Sequence, residues 1–265
     1  MPGVPYEMQG IMEEVIPYLE KSFELPEIIH KTILTAGIGE SAIAEIIKDF
    51  ENELPQEIRL AYLPNYGMVR LRLTTSGFDR IKTEKIINDR FIELKKLVKE
   101  YIVTDEDETM QQVLGKILLK NKETISTAES CTGGAIASLI TSVPGASAYF
   151  QGSIVSYSND VKQSLLNVKK DTLEKYGAVS EETVKEMLSG LLLKMNTTYG
   201  IAVSGIMGPD GGTDDKPVGT VFIAVGNKEG AKVYQLKQRF ERNKNIEVTA
   251  MMALNMMRKF VLDNV

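Results

Sequence analysis

Residues able to do nucleophilic chemistry are concentrated in one short stretch, residues 126–134, which combines hydroxyls, a thiol and two glycines. A β-prone run precedes the stretch and small apolar residues with helical character follow it, which predicts a strand, a tight turn and a helix. Such a turn presents backbone N–H groups at a helix N-terminus, where the helix dipole favours negative charge. Ser130 is therefore a candidate nucleophile for a carbonyl carbon, with nearby amides holding the oxyanion. The alternative is an ordinary glycine-containing helix cap, in which Ser and Thr satisfy unpaired amides.

The chain contains one histidine and one cysteine, and these counts restrict the possible chemistry. His30 precedes Ser130 by 100 residues and belongs to what the pattern predicts to be a different domain, so no Ser-His or Cys-His site can be built within the second half of the chain. If Ser130 is a nucleophile, lysine is the leading choice for its base. Cys131 forms neither an internal disulfide nor a thiolate metal cluster, but it is a rival nucleophile because thiols are intrinsically more reactive than hydroxyls.

Two further polar loops follow predicted strands in the same half of the chain. One places Tyr157 and Lys162 one or two helical turns apart, and the other is a long glycine-rich loop over residues 204–213. Because ligands of α/β domains bind where the carboxyl ends of strands converge, we expect both loops near the Ser130 turn. Taken singly, Tyr157 is better explained as a half-buried tyrosine at a strand end, and Lys162 as a solvated lysine on a helix; their combination with the serine turn and the remote histidine favours catalytic roles.

Composition limits the class of protein. Apolar residues make up 43% of the chain and charged residues 25%, as in ordinary globular proteins. No apolar run approaches the roughly 20 residues that a membrane span needs, and the first residues do not form a signal region, so we expect a cytoplasmic protein without membrane contact. The formal charge of −5 argues against a nucleic acid as partner, because phosphates select basic surfaces.

The hydrophobic pattern divides the chain into three segments. Residues 1–23 combine a turn-like opening with a short apolar helix interrupted by Pro17, which is typical of the tail of a domain lying mostly outside the chain. Residues 24–102 follow the order β-α-β-β-α, which predicts a small α+β domain. After an acidic linker, residues 105–265 mix strands with amphipathic helices, which predicts a three-layer α/β/α domain.

Two features of the α+β segment are interpreted as structural. Residues 37–42 match the dinucleotide fingerprint G-x-G-x-x-A, but the strands that follow read as a hairpin and not as a parallel βαβ unit. Arg70 and Arg72 lie on a solvated strand face, since acidic and basic residues nearly balance across this segment. His30 is assigned a structural or surface position.

The polar loops of the second half resemble the C-terminal domain of the CinA family, the nicotinamide mononucleotide (NMN) deamidase family also called PncC. The resemblance is carried by residues 128–134, 157–162 and 204–209, and residues 177–180 and 216–220 add to it. Residues 24–100 resemble the KH-like middle domain of that family, and the first residues resemble the end of its N-terminal molybdopterin-binding-like domain.

The resemblance implies an enzyme that hydrolyses the carboxamide of NMN to nicotinate mononucleotide and ammonia, with no metal and no cofactor. It implies Ser130 as the nucleophile, Lys162 as its base, and Tyr157 as a hydroxyl that assists proton transfer or orients the pair. Lysine serves as a base only if its pKa falls well below its usual value of about 10.4. Backbone amides near residues 132–134 would form the oxyanion hole.

The resemblance also implies a substrate-binding set and a homodimer. The candidate binding residues are Cys131, Thr132, Gly133, Gly134, Ser204, Gly205, Gly208 and Arg242. Among them Cys131 has no matching role in the family and is interpreted as a residue that fills space beside the turn. The glycine-rich loop would hold the ribose and phosphate, and Arg242 would pair with the phosphate, although the sequence around Arg242 departs from the family's usual Gly-Asp-Arg-like pattern. Two alternatives are a catalytically inactive nucleotide sensor and a scaffold linked to DNA uptake or damage response.

Overall fold

A computed structural model describes residues 4–65 and 67–264 of the chain. These residues form two compact units, the first mainly from residues up to Glu106 and the second mainly from residues after it. The turn-like opening predicted at residues 2–5 lies partly outside the described residues. No helix in the described part of the chain has both the length and the apolar character needed to cross a membrane.

The first helix, α1 (Pro5–Ser22), has no buried residue. The predicted interruption at Pro17 is wrong, because Pro17 lies inside a continuous helix. Proline removes one N–H donor from the helix ladder, and here the carbonyl that loses its donor belongs to the exposed turn at Glu13, where water can replace the donor.

The first unit confirms the α+β class and the order β-α-β-β-α, with two additions. Its elements are β1 (Glu27–Ala36), α2 (Glu40–Ile46), α3 (Lys48–Asn52), β2 (Ile58–Asn65), β3 (Met68–Gly77), α4 (Arg80–Leu97) and β4 (Ile102–Thr104). The predicted single helix divides at Ile47 into α2 and α3. The short strand β4 pairs antiparallel with β1 and completes a sheet of order β2-β3-β1-β4.

The core of this unit is formed by the sheet together with α2, α3 and α4. The apolar face of α4 that the spacing predicts is buried in full, at Ile87, Phe91, Leu94 and the following Val98. The strands that flank α2 and α3 are not adjacent in the sheet, so residues 37–42 do not belong to a parallel βαβ unit. His30 is exposed and its Nδ1 lies 2.9 Å from the hydroxyl of Thr74 across the sheet.

The second unit contains a five-stranded mixed sheet of order β6-β5-β7-β8-β9. Its strands are β5 (Ile125–Glu129), β6 (Phe150–Val155), β7 (Tyr199–Gly205), β8 (Thr220–Gly226) and β9 (Ala231–Lys237). β5 runs parallel to both of its neighbours, β6 and β7, and β8 and β9 continue the sheet antiparallel. The carboxyl ends of the three parallel strands therefore meet at one edge.

Six helices in the described part of this unit complete the predicted three-layer α/β/α architecture. They are α5 (Met110–Asn121), α6 (Ala135–Thr141), α7 (Asn159–Leu166), α8 (Lys170–Tyr176), α9 (Glu181–Met195) and α10 (Arg242–Leu262). Helix α9 packs on the sheet together with α7 and α8, and α10 packs on the sheet with α5 and α6. The apolar stripe of α9 that the sequence indicates, including Val184, Leu188 and Leu191, is buried.

Candidate active site

The turn that carries Ser130 follows β5 directly, as predicted. The N–H of Ser130 donates to the carbonyl of Val203 in β7 over 3.0 Å, which continues the parallel pairing one residue past the strand. Gly133 and Gly134 have φ values of 61° and 101°, which L side chains rarely adopt. A Cβ on Gly133 would meet nothing within 4 Å, so glycine is required there for backbone conformation and not for space.

Lys162 lies on the first turns of α7 and reaches back to the serine. Ser158 caps this helix by accepting the N–H of Val161 over 3.2 Å. The side chain of Lys162 is 1% exposed, and its Nζ donates to Ser130 Oγ over 3.0 Å. The same nitrogen donates to the carbonyl oxygens of Ser156 and Tyr157 over 2.8 and 3.3 Å. The structure thus brings together two residues that are 32 positions apart in sequence.

Burial shifts the pKa of the two ionisable side chains next to Ser130, those of Lys162 and Cys131. Burial lowers the pKa of Lys162 below its ordinary value, because the charged ammonium loses its hydration. Burial raises the pKa of the Cys131 thiol to about 12, so this thiol keeps its proton at neutral pH. An ionised Cys131 would raise the pKa of Lys162, but a protonated thiol carries no charge and exerts no such effect. Ser130 therefore has a buried amine with a lowered pKa within hydrogen-bond distance, whereas Cys131 lacks the thiolate form that attacks carbonyls.

Tyr157 and Arg242 lie together at the exposed side of the site. The Tyr157 side chain is 65% exposed, and its hydroxyl accepts from Arg242 Nη2 over 3.3 Å. Arg242 Nη1 donates to the carbonyl of Gly208 over 2.8 Å. Tyr157 contacts Lys162 through its main-chain carbonyl, while its hydroxyl contacts Arg242. A role of this hydroxyl in proton transfer stays a prediction.

These groups surround one cavity of about 190 Å³. Its lining residues are Ser130, Cys131, Tyr157, Lys162, Ala178, Val179, Gly205, Met207 and Arg242. All three predicted catalytic residues line this cavity, together with three of the predicted binding residues, Cys131, Gly205 and Arg242. Sequence reasoning missed its apolar walls at Ala178, Val179 and Met207, although all three lie in segments that contributed to the family resemblance, 177–180 and 204–209.

Five predicted binding residues are not among those that line the cavity: Thr132, Gly133, Gly134, Ser204 and Gly208. Ser204 is 1% exposed and its hydroxyl donates to the carbonyl of Ala178 over 2.7 Å, so it supports the cavity wall. Gly208 approaches the site through the carbonyl that Arg242 binds.

The expected oxyanion hole at residues 132–134 is wrong for two of its three amides. The N–H of Gly133 donates to the carbonyl of Ser130 over 3.2 Å, and the N–H of Gly134 donates to the carboxylate of Glu129 over 3.1 Å. Thr132 also turns its hydroxyl toward Glu129, over 2.8 Å. The amides of Gly133 and Gly134 already donate hydrogen bonds within the turn and to Glu129, so they are not available to an oxyanion. Of the three amides, that of Thr132 remains the candidate oxyanion donor.

Glu129 is the polar residue at this turn that sequence reasoning missed. It is the last residue of β5 and is 0% exposed. The sequence signal that could have identified it is a carboxylate directly before a turn that contains glycines. The helix after this turn, α6, has Gly134 as its N-cap residue and receives no side-chain cap from it. Among the described residues, no three His, Cys, Asp or Glu side chains are grouped as metal ligands would be.

Two family models match the chain. The model of the CinA C-terminal domain matches residues 107–261, and the model of the damage-inducible protein CinA KH domain matches residues 30–104. The chain is 44% identical over 260 residues to a CinA-like protein of Cytophaga hutchinsonii, covering 98% of this chain and 62% of that protein. It is 46% identical over 268 residues to a CinA-like protein of Flavobacterium psychrophilum, covering 100% of this chain and 64% of that protein. The chain thus spans somewhat less than two thirds of these relatives.

Solved structures resemble more than half of the chain. The competence/damage inducible protein CihA of Agrobacterium tumefaciens is 33% identical, with a TM-score of 0.54 over 59% of this chain and 98% of that chain. A CinA superfamily protein of Escherichia coli is 28% identical, with a TM-score of 0.56 over 57% of this chain and 88% of that chain.

Proposed function

The chain belongs to the CinA family, and we propose that its second unit is an amidohydrolase that converts NMN and water to nicotinate mononucleotide and ammonia. The observation that carries the proposal is the contact between Lys162 Nζ and Ser130 Oγ inside a cavity. An activated serine of this kind attacks the carbon of a carboxamide.

The surroundings of Lys162 support its role as the base. A neutral amine has two N–H groups and one lone pair. The charged form donates to Ser130 Oγ and to both carbonyls. In the neutral form the carbonyls of Ser156 and Tyr157 accept the two N–H groups, which leaves the lone pair to accept the hydroxyl proton of Ser130. Burial favours the neutral form and lowers the pKa of Lys162, which is the direction that a lysine base needs.

The reaction then follows in two halves. Ser130 Oγ attacks the carboxamide carbon as its proton moves to Lys162, and Lys162 returns that proton to the departing nitrogen, which leaves as ammonia. Water attacks the resulting ester and gives a proton to Lys162, which passes it to Ser130 Oγ as the C–O bond to Ser130 breaks; the nicotinate acid released loses its proton to solvent and leaves as the carboxylate. Arg242 lies at the exposed side of the cavity and is proposed to pair with the phosphate of NMN.

The assay that tests this function is ammonia release from NMN in the presence of EDTA. We expect the wild-type chain to release one ammonia per nicotinate mononucleotide formed, at a rate that EDTA does not change, because the proposed steps use only side chains of the chain. Both products are quantified, ammonia by a coupled enzyme assay and the nucleotide by mass spectrometry. A folded wild-type protein that binds NMN and releases no ammonia would favour the nucleotide-sensor alternative.

The pH dependence of kcat is a second expectation. Protonated Lys162 cannot accept a proton, so kcat falls about tenfold per pH unit below the pKa of Lys162 and levels off above it. Since burial lowers that pKa, the midpoint of the rise lies below the usual lysine value of about 10.4. Tyr157→Phe is the control, because it keeps the carbonyl that contacts Lys162 and should leave the midpoint unchanged. A kcat that decreases as pH rises from about 6 to 9 would contradict a lysine base.

A further inference from the structure

A carboxylate without a role in the proposed steps lies one residue before Ser130. Glu129 is completely buried, and all six of its hydrogen-bond donors among the described residues are neutral. Oε1 accepts from Thr127 Oγ1, Ala137 N and Ser153 Oγ, over 3.1, 2.9 and 3.4 Å. Oε2 accepts from Thr132 Oγ1, Gly134 N and Ile136 N, over 2.8, 3.1 and 3.0 Å.

These contacts connect the two ends of the turn that carries Ser130. Glu129 ends β5, and its partners include Thr132 inside the turn, Gly134 at its end and the first residues of α6. Gly134 has no side chain to cap α6, so the carboxylate satisfies amides of the first helical turn that would otherwise lack partners. Backbone amides and hydroxyls of this kind stabilise a buried carboxylate without a cation.

We infer that Glu129 is a positioning residue that holds the turn in the conformation in which Ser130 Oγ meets Lys162. The inference rests on the proposed function. The N–H of Ser130 is fixed to β7 and Cys131 packs against the end of that strand, whereas Thr132 and Gly134 donate hydrogen bonds to the Glu129 carboxylate. A displacement of the serine by about 1 Å is enough to cost roughly 100-fold in rate.

Glu129→Gln tests the inference with little change in shape. Each carboxylate oxygen faces three donors, so either orientation of the amide turns its NH₂ group toward three donors. We expect kcat for NMN to fall between about 10- and 100-fold. KM should stay within about twofold and the pH midpoint of kcat should not move, because Glu129 lies outside the cavity lining and is not among the groups that shift the pKa of Lys162.

The second unit offers a matched control at Glu186. This carboxylate accepts the N–H of Lys169 over 2.8 Å and the hydroxyl of Thr172 over 2.8 Å at the start of α8. Glu186→Gln therefore makes the same chemical change at another helix start, and it should lower the melting temperature without lowering kcat by more than about twofold. An equal loss of kcat in both variants would show a general loss of stability and would overturn the inference.

A second readout separates the inference from the choice of substrate. A fluorophosphonate probe reacts when Ser130 Oγ attacks phosphorus, fluoride leaves, and Lys162 takes the hydroxyl proton. Its rate of labelling is followed by intact mass, with Ser130→Ala as the unlabelled control. If the wild type is labelled but does not hydrolyse NMN, the proposed function fails, and a labelling rate reduced at least tenfold in Glu129→Gln still supports the inference. Labelling and kcat near wild-type values in a folded Glu129→Gln protein would overturn it.

A pair of threonine variants repeats the comparison if Glu129→Gln does not fold. Thr132→Val removes one donor to Glu129, and Thr172→Val removes one donor of the same length to Glu186. We expect Thr132→Val to lower the labelling rate of Ser130 several-fold and Thr172→Val to leave it unchanged. Equal labelling rates in the two variants would overturn the inference.

Discussion

Ser130→Ala is expected to lower kcat for NMN hydrolysis by about 10⁴-fold or more, since removal of a catalytic nucleophile leaves only the contribution of binding and of oxyanion donors. The lost hydroxyl is the group that Lys162 contacts over 3.0 Å. Binding should survive, because the arginine proposed for the phosphate and the apolar walls are unchanged. The measurement is single-turnover formation of nicotinate mononucleotide, with NMN binding by calorimetry as a check that the cavity is intact.

Cys131→Ala is the control, because Cys131 is the rival nucleophile beside Ser130. Its thiol lines the same cavity, but with a pKa of about 12 it is protonated at neutral pH. A Cβ on Gly205 would lie 3.1 Å from its sulfur, so the thiol is closely packed against the end of β7. We expect Cys131→Ala to retain at least about a tenth of the wild-type kcat. Loss of activity in Cys131→Ala with activity retained in Ser130→Ala would assign the attack to the thiol.

The position of the site could be predicted from the sequence because it follows from strand order. Ser130, Tyr157 and Gly205 each end or follow a run with strong β character. Parallel strands bring such ends to one edge of a sheet, and β6, β5 and β7 do so here. The single histidine directed attention to lysine as the base, and Lys162 is the residue that the structure places on Ser130.

The directions of hydrogen bonds in the turn could not be predicted. Residue types in 129–134 indicate donors and acceptors but not which of them meet, since that depends on turn geometry of a few tenths of an ångström. The amides of Gly133 and Gly134 therefore seemed free for an oxyanion and are used within the turn. The burial of Lys162 could not be predicted either, because the sequence of a short helix gives no sign that one of its lysines is buried and not solvated.

In the fold, long periodic elements were predictable and short ones were not. The stripe of α9 and the buried face of α4 follow from their spacing. The three-residue strand β4 and the division of a helix at Ile47 leave no periodic signal, because both depend on packing against residues distant in sequence.

Lys162→Met is expected to lower kcat by about 10² to 10⁴, the usual contribution of a general base. Methionine matches the length and apolar stem of lysine but has no lone pair able to accept the Ser130 proton at neutral pH. It also leaves the carbonyls of Ser156 and Tyr157 without their donor, at a cost of roughly 1–3 kcal/mol each. Removing a buried amine offsets part of that cost, so thermal unfolding should be measured beside kcat to show that the variant is folded.

Lys162→Arg separates a base from a fixed positive charge at this position. Arginine keeps the charge and can donate to the same carbonyls, but it does not lose its proton in proteins. If Lys162 acts as the base, Lys162→Arg is as inactive as Lys162→Met and its residual rate loses the pH dependence of the wild type. If Lys162 acts only by attracting the negative charge that develops on the substrate, Lys162→Arg keeps most of the activity that Lys162→Met loses. Because the wild-type amine is buried, with its pKa lowered and both N–H groups of the neutral form accepted by carbonyls, we expect the first result.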